Sequence, residues 1–181
     1  ENMNYIKITD KPDGRHITKT KVFSDKFRDN VYGFVKKHLD EGTQVYWVCT
    51  RVDDNPENNL LSVELFSDVI SKEFPNYQTA ILHGKTPSDQ KTTIINDFKS
   101  GKIKILIATS VIEVGIDCQN ANCLVIENSE MFGLSQLHQL RGRVGRGKHQ
   151  GYCYLMHSEN IKDESIEKLR YLETHDSGFD I

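Results

Sequence analysis

The chain has 181 residues, of which 37% are hydrophobic and 27% charged, and a formal net charge of −3. That length suits one ordinary domain with a sizeable core, and the composition is globular rather than disordered or fibrous. No apolar run approaches the roughly 18 residues a membrane helix needs, the opening Glu-Asn-Met-Asn-Tyr-Ile lacks the order of a secretory signal, and the acidic balance argues against holding nucleic acid by bulk charge.

In chain order, residues 5–8 and 17–23 read as extended, with a Lys-Pro-Asp-Gly turn at 11–14. Phe27, Val31, Phe34, Val35 and Leu39 recur at helical spacing up to Gly42. A strand follows over 45–50, then a polar loop over 51–58 and a helix carrying Leu61, Leu65, Val69 and Ile70 that ends before Pro75. The strand 79–83 precedes a helix for which Thr86 is the expected N-cap and Pro87 the first residue; Ile94, Ile95 and Phe98 form its stripe and Gly101 stops it. Strands are predicted at 104–109, 123–127 and 151–156. Helices are predicted at 134–143 and at 162–173, the latter with Ile166, Leu169 and Leu172 turned inward. This alternation predicts an α/β fold, a parallel sheet sandwiched by helices.

Cys49, Cys118, Cys123 and Cys153 form no Cys-x-x-Cys pair, and no histidine stands at ligand spacing from the two that are five apart. They are expected to be free thiols of a reduced, cytoplasmic protein, with no metal site.

Function is concentrated in residues 136–147, Gln-Leu-His-Gln-Leu-Arg-Gly-Arg-Val-Gly-Arg-Gly. On a helix, Gln139, Arg143 and Arg146 at i, i+4, i+7 share a face, and paired guanidinium forks suit a developing phosphoryl charge. The plainer alternative is a helix whose last turn sets cations against its own dipole. In open parallel sheets ligands bind beyond the carboxyl ends of the strands. Four polar segments fall after predicted strands: Thr50-Arg51, His83-Gly84, Thr109-Ser110 with Gly115-Ile-Asp117, and the arginine segment; all four are expected to converge. Gly142 to Lys148 imitates a phosphate loop, but His149 replaces the magnesium-binding hydroxyl and the segment follows a helix instead of a strand.

The string Gln-Leu-Arg-Gly-Arg-Val-Gly-Arg at 139–146 resembles motif VI of the superfamily 2 helicases. Thr109-Ser-Val-Ile-Glu-Val-Gly-Ile-Asp117 is similar to motif V, and Thr50-Arg51 to motif IV. The resemblance implies a RecA-like second motor lobe. In it Arg143 and Arg146 are arginine fingers, Gly115, Asp117 and Gln139 lie near ATP, and Thr50, Arg51, His83, Gly84, Thr109 and Ser110 meet DNA. Within the superfamily, the runs at 45–50, 111–117 and 132–147 and the tail from Leu169 are similar to the RecG family of DNA translocases, over roughly residues 13–181.

The family implies ATP-driven movement on branched DNA, replication forks and Holliday junctions, in concert with a first RecA-like lobe and an N-terminal DNA-reading domain, with no membrane involved. Neither a phosphate loop nor a magnesium carboxylate motif occurs, so ATP and Mg2+ are expected mainly on the first lobe and this chain alone is expected to be inactive. The expected division is an extended lead-in over 1–24, read as an inter-lobe linker and first strand, the lobe over 25–158, and a helix over 159–181 that begins an incomplete translocation element. Two other readings stand beside this one: the motor lobe of a transcription-repair coupling factor, and a stand-alone RecA-like binding module.

Overall fold

The computed structural model describes residues 18–109, 118–145 and 147–175. Six strands, β1 (Lys19–Ser24), β2 (Gln44–Cys49), β3 (Thr79–Leu82), β4 (Ile105–Thr109), β5 (Ala121–Ile126) and β6 (Tyr152–His157), form one sheet in the order β1-β6-β5-β2-β4-β3. Every pairing is parallel. Such a sheet must be covered on both faces, because its crossover helices lie there. That is why the central strands read Val-Tyr-Trp-Val, Ile-Leu-Ile-Ala and Cys-Leu-Val-Ile with no polar interruption.

Five helices supply the covers: α1 (Arg28–Asp40), α2 (Pro56–Glu73), α3 (Ser88–Lys99), α4 (Leu134–Arg141) and α5 (Asp163–Thr174). Val31, Val35 and Leu39 of α1 and Val63 and Ile70 of α2 pack on Val45, Trp47, Ile107 and Val125. On the opposite face Phe98 of α3, Leu137 and Leu140 of α4, and Leu169 and Leu172 of α5 meet Tyr46, Val48, Leu106, Leu124 and Leu155. Successive β2 residues thus serve opposite cores, as the period of two in a strand requires. Gly42 and Gly101 close α1 and α3 at positive φ (96° and 87°), where a side chain would strain the backbone.

Several expectations need correction. Thr86 does not cap α3. Its Oγ1 accepts from the His83 N–H at 3.0 Å, closing the turn before the helix, and Pro87 stands at the cap position without a side-chain bond. The polar loop is shorter than 51–58, because Asn55 caps α2 and Pro56 opens it. Leu61, Leu65 and Val69 face outward; the buried stripe of α2 is Asn59, Val63 and Ile70. The helix predicted at 134–143 ends at Arg141. β1 is one of the sheet's two edge strands, bonded to β6, and the Val22 N–H donates to Glu173 of α5 at 2.7 Å, so both ends of the described chain are built into the lobe. The extended 5–8 segment and the 11–14 turn lie outside the described residues. Among the described residues no helix is long and apolar enough to cross a membrane.

Candidate functional site

Strand order decides which loop segments meet. β3, β4 and β2 are neighbours, so the residues after them share one edge. There Arg51, His83, Gly84 and Thr109 line a single cavity of about 270 Å³, so the residues of three expected segments that the structure describes at this edge, Thr50 aside, come together. Lys85 and Lys91 join them, and Asp54 supplies a carboxylate. The inner wall is apolar, from Pro56, Leu82 and Ile95. Cations over apolar walls suit a phosphate–sugar chain, with phosphates on the rim and deoxyribose against the hydrocarbon.

Local bonds hold these groups in place. The His83 Nδ1 accepts from the Lys85 N–H at 3.0 Å, which leaves Nε2 as the protonated nitrogen of the neutral ring and a donor. Asn59, buried at the start of α2, accepts the Val52 and Asp53 N–H groups at 2.6 and 3.2 Å and donates to the Asp53 carbonyl at 2.8 Å. That one carboxamide folds the loop that follows Arg51.

Beside this cavity is the place where the chain's winding reverses: β2 feeds α2 on one face of the sheet and β5 feeds α4 on the other. A crevice is expected at such a point. It is present, about 300 Å³, lined by Thr50, Arg51, Asp53, Asp54, Phe132 and Gln136 among others.

The fourth segment lies elsewhere. α4 starts at the carboxyl edge, where the Gln136 side chain accepts from the Gly133 N–H at 3.0 Å, and runs back across the sheet. Its eight residues rise about 12 Å, and the turn that follows Arg141 completes the crossing to the strand starts. The arginine segment therefore sits at the amino ends of the strands. A Cβ on Gly145 (φ 74°) would lie 3.1 Å from Thr18 Oγ1, just before β1, and 3.3 Å from Gly151 Cα, just before β6; one on Gly147 would strike the Gln119 carbonyl, just before β5. The glycines of this segment are needed because it threads between strand starts.

The helical-face expectation is also corrected where the structure describes it, at Gln139 and Arg143, because the helix ends at Arg141. Beyond Arg141 the backbone tightens into i→i+3 turns, with the Arg143 N–H on the Leu140 carbonyl at 3.0 Å. Gln139 is exposed on α4, whereas Arg143 lies half-buried in the turn, its guanidinium without a hydrogen bond or ion pair among the described residues. Arg146, Ser110, Gly115 and Asp117 lie outside the described residues. Arg141 is buried at 4% exposure; it donates to Thr20 Oγ1 at 3.1 Å and to the Leu172 carbonyl at 2.7 Å, and its other nitrogen lies 3.1 Å from His138 Nδ1. It ties α4 to β1 and α5.

Sequence reasoning missed a partly buried charge cluster beyond the ends of β1 and β5, in which Glu127 is buried, Arg28 half-buried and Asp25 exposed. The Arg28 guanidinium forks onto both Glu127 oxygens at 2.8 and 2.7 Å and pairs with Asp25, while Trp47 Nε1 donates to Glu127 at 2.9 Å. Burial works against the Arg28 charge, but the Glu127 carboxylate outweighs it and raises the guanidinium above its ordinary value. Burial pushes the Cys49 thiol up, so it is no nucleophile. Lys85 and Lys91 were also missed, although a turn and a helix start following a strand end were signal enough.

A parallel sheet sandwiched by helices, with a cationic edge at the carboxyl ends and an arginine turn at the other, defines the second lobe of a RecA-like motor. The chain belongs to the helicase conserved C-terminal domain family, which matches residues 26–148. More particularly, it is similar to the ATP-dependent DNA helicase RecG of Treponema pallidum, 39% identical over 172 residues that cover 95% of this chain and 25% of that protein. A solved structure of RecG bound to a three-way DNA junction superposes with a TM-score of 0.78 at 37% identity, over 93% of this chain and 22% of that one. Domain 2 of the DEAD-box helicase Mss116p, bound to an RNA duplex, shares the fold at a TM-score of 0.60 and 17% identity, covering 88% of this chain and 70% of that one. The chain thus spans about a quarter of the length of its RecG relatives.

Proposed function

We infer that this chain is the second motor lobe of an ATP-dependent DNA translocase that remodels replication forks and migrates branched junctions. The observation that carries the reading is the separation of the two edges. Arg51, His83, Lys85, Lys91 and Thr109 gather at one end of the strands and the turn bearing Arg143 stands at the other, so DNA and nucleotide can be engaged together. DNA phosphates run along the first edge, held by Thr50, Arg51, His83, Gly84, Thr109 and Ser110 as the resemblance implies, with Lys85 and Lys91 added by the geometry. Such contacts carry no sequence information.

The fit to nucleotide is half of a site. A half-buried guanidinium at Arg143, with no hydrogen bond or ion pair among the described residues, fits a phosphate oxygen. ATP supplies the phosphoryl group whose transfer powers movement, and it and Mg2+ are assigned to a first lobe. Arg143 and Arg146 reach that phosphate from across the cleft, with Gln139, Gly115 and Asp117 beside it. A first lobe, a DNA-reading domain and a cytoplasmic location complete the proposal.

The test is DNA binding by the 181-residue chain across a salt series. Arg51→Ala and Lys91→Ala are each expected to weaken binding to all sequences alike and to reduce the slope of log K against log salt by roughly 1. Unchanged slopes in both variants, or loss confined to one DNA sequence, would sink the assignment.

A further inference from the structure

Two apolar side chains stand at the mouth of the crevice where the winding reverses. Met131 is 71% exposed, more than any other large apolar side chain among the described residues, and Val52 is 57% exposed. Both line the crevice, one from each of the two loops that bound it. Met131 ends a short turn, Ser129–Met131, that is heavily bonded. Asn128 before it takes the left-handed conformation (φ 48°), and its carbonyl accepts from the Met131 N–H at 2.9 Å. The Ser129 hydroxyl donates to the Met156 carbonyl of β6 at 2.7 Å. From α5, the Lys168 ammonium donates to the Glu130 and Phe132 carbonyls at 3.2 and 2.8 Å, one on each side of Met131. A rigid turn thus holds the thioether out to solvent.

We propose that Val52 and Met131 grip the base of one unstacked nucleotide, in the DNA strand whose phosphates lie along Arg51. This rests on reading the carboxyl edge as the DNA edge. Arg51 and Asp54 line both the crevice and the strand-end cavity, so a strand lying on the cations passes the mouth of the crevice. A base has two apolar faces and a polar rim, and the crevice repeats that pattern, with aliphatic lips beside Thr50 and Gln136. Apart from Val52, Met131 and the buried Phe132 its lining is polar. That is too little for a protein interface, which buries about 800 Å² per partner around an apolar core. Two carboxylates also line the crevice. Asp53 is turned into its own loop, where it accepts from the Asn55 N–H at 2.7 Å and the Asn58 amide at 3.0 Å. Asp54 is outnumbered by Arg51, Lys85 and Lys91. Every base offers such faces, so the contact reads no sequence. It needs a base out of its stack, which a single strand or a branch point supplies and an intact duplex does not.

The test is DNA binding by the 181-residue chain, read by fluorescence anisotropy at low salt. The probes are a labelled single strand of about 20 nucleotides, the duplex of the same sequence, and a base-free strand of the same length built from abasic spacers. Met131→Gln is expected to weaken binding to the single strand about fivefold, and to leave the duplex and the base-free strand unchanged. Met131→Leu keeps the parent affinity. Both variants fold normally, because the side chain is 71% exposed. The salt slope stays at the parent value in Met131→Gln, since no phosphate contact is lost, whereas Arg51→Ala lowers it. Parent affinity for the single strand in Met131→Gln, or an equal loss on the duplex or on the base-free strand, would overturn the base contact; with the Arg51→Ala slope still lowered, the DNA edge itself would stand. Failure of the chain to bind any of the three DNAs would overturn both.

Discussion

Two arginines two positions apart in one motif do different work. Arg141 is enclosed, and its removal strands the Leu172 carbonyl and Thr20 hydroxyl in the interior. A buried group left without its partner costs about 1–3 kcal/mol, so Arg141→Ala is expected to destabilise the lobe by roughly 3 kcal/mol in all and lower Tm by about 6–12 °C. Arg143 has no side-chain hydrogen bond or ion pair to lose among the described residues, and Arg143→Ala should stay within about 0.5 kcal/mol of the parent. Paired thermal melts check both; equal shifts would contradict the geometry. It follows that Arg141 is no neutral control for the role of its neighbour, although its place in the string gives no hint of that.

At the scale of elements, α1 is fixed to the sheet by a ring stack with a titratable member. His38, buried on α1, lies 2.8 Å from the Tyr154 hydroxyl of β6 through Nε2, and its ring sits 4.5 Å from that of Tyr152. Burial lowers the His38 pKa; Lys37 adds to this and Glu41 opposes it. The folded state therefore binds this proton less readily than the unfolded chain, whose histidine titrates near about 6.5. Stability from this group is complete above the unfolded value and falls as pH drops below it, levelling off below the folded value. Unfolding free energies at about pH 7.5 and about pH 5.5 should show a loss that is smaller in His38→Gln. An identical loss in the variant would place the pH sensitivity elsewhere.

At the scale of the whole molecule, the prediction concerns turnover in a protein that joins this lobe to a phosphate-loop lobe. An arginine finger is worth about 10³–10⁵ in rate. Arg143→Ala is expected to lower kcat by at least roughly 10³ while changing ATP affinity far less, because charge spreads over the phosphoryl group only in the transition state. Arg143→Lys should not restore it, since a point charge cannot reproduce a planar fork. Steady-state hydrolysis with junction DNA is the measurement, and near-normal kcat in Arg143→Ala would remove the finger role.

Fold class was legible because period and punctuation are local: apolar runs of strand length, helical stripes and stop glycines need only neighbouring residues to be read. The arginine string and the strand-end residues were likewise visible as chemistry. What sequence alone determined, then, is a wound parallel sheet with phosphate-seeking groups between its elements. Which of those groups share an edge was decided only by the order β1-β6-β5-β2-β4-β3 and by the run of α4 back across the sheet. The same holds for the faces of side chains. Leu61, Leu65 and Val69 look like a core stripe until α2 is seen to bury Val63 and Ile70 instead. Arg28, Trp47 and Glu127 lie far apart in sequence, and only the assembled sheet brings them into one hydrogen-bonded cluster. Pattern is a property of a few consecutive residues, whereas burial and convergence depend on contacts between residues many positions apart, which three-dimensional packing alone creates.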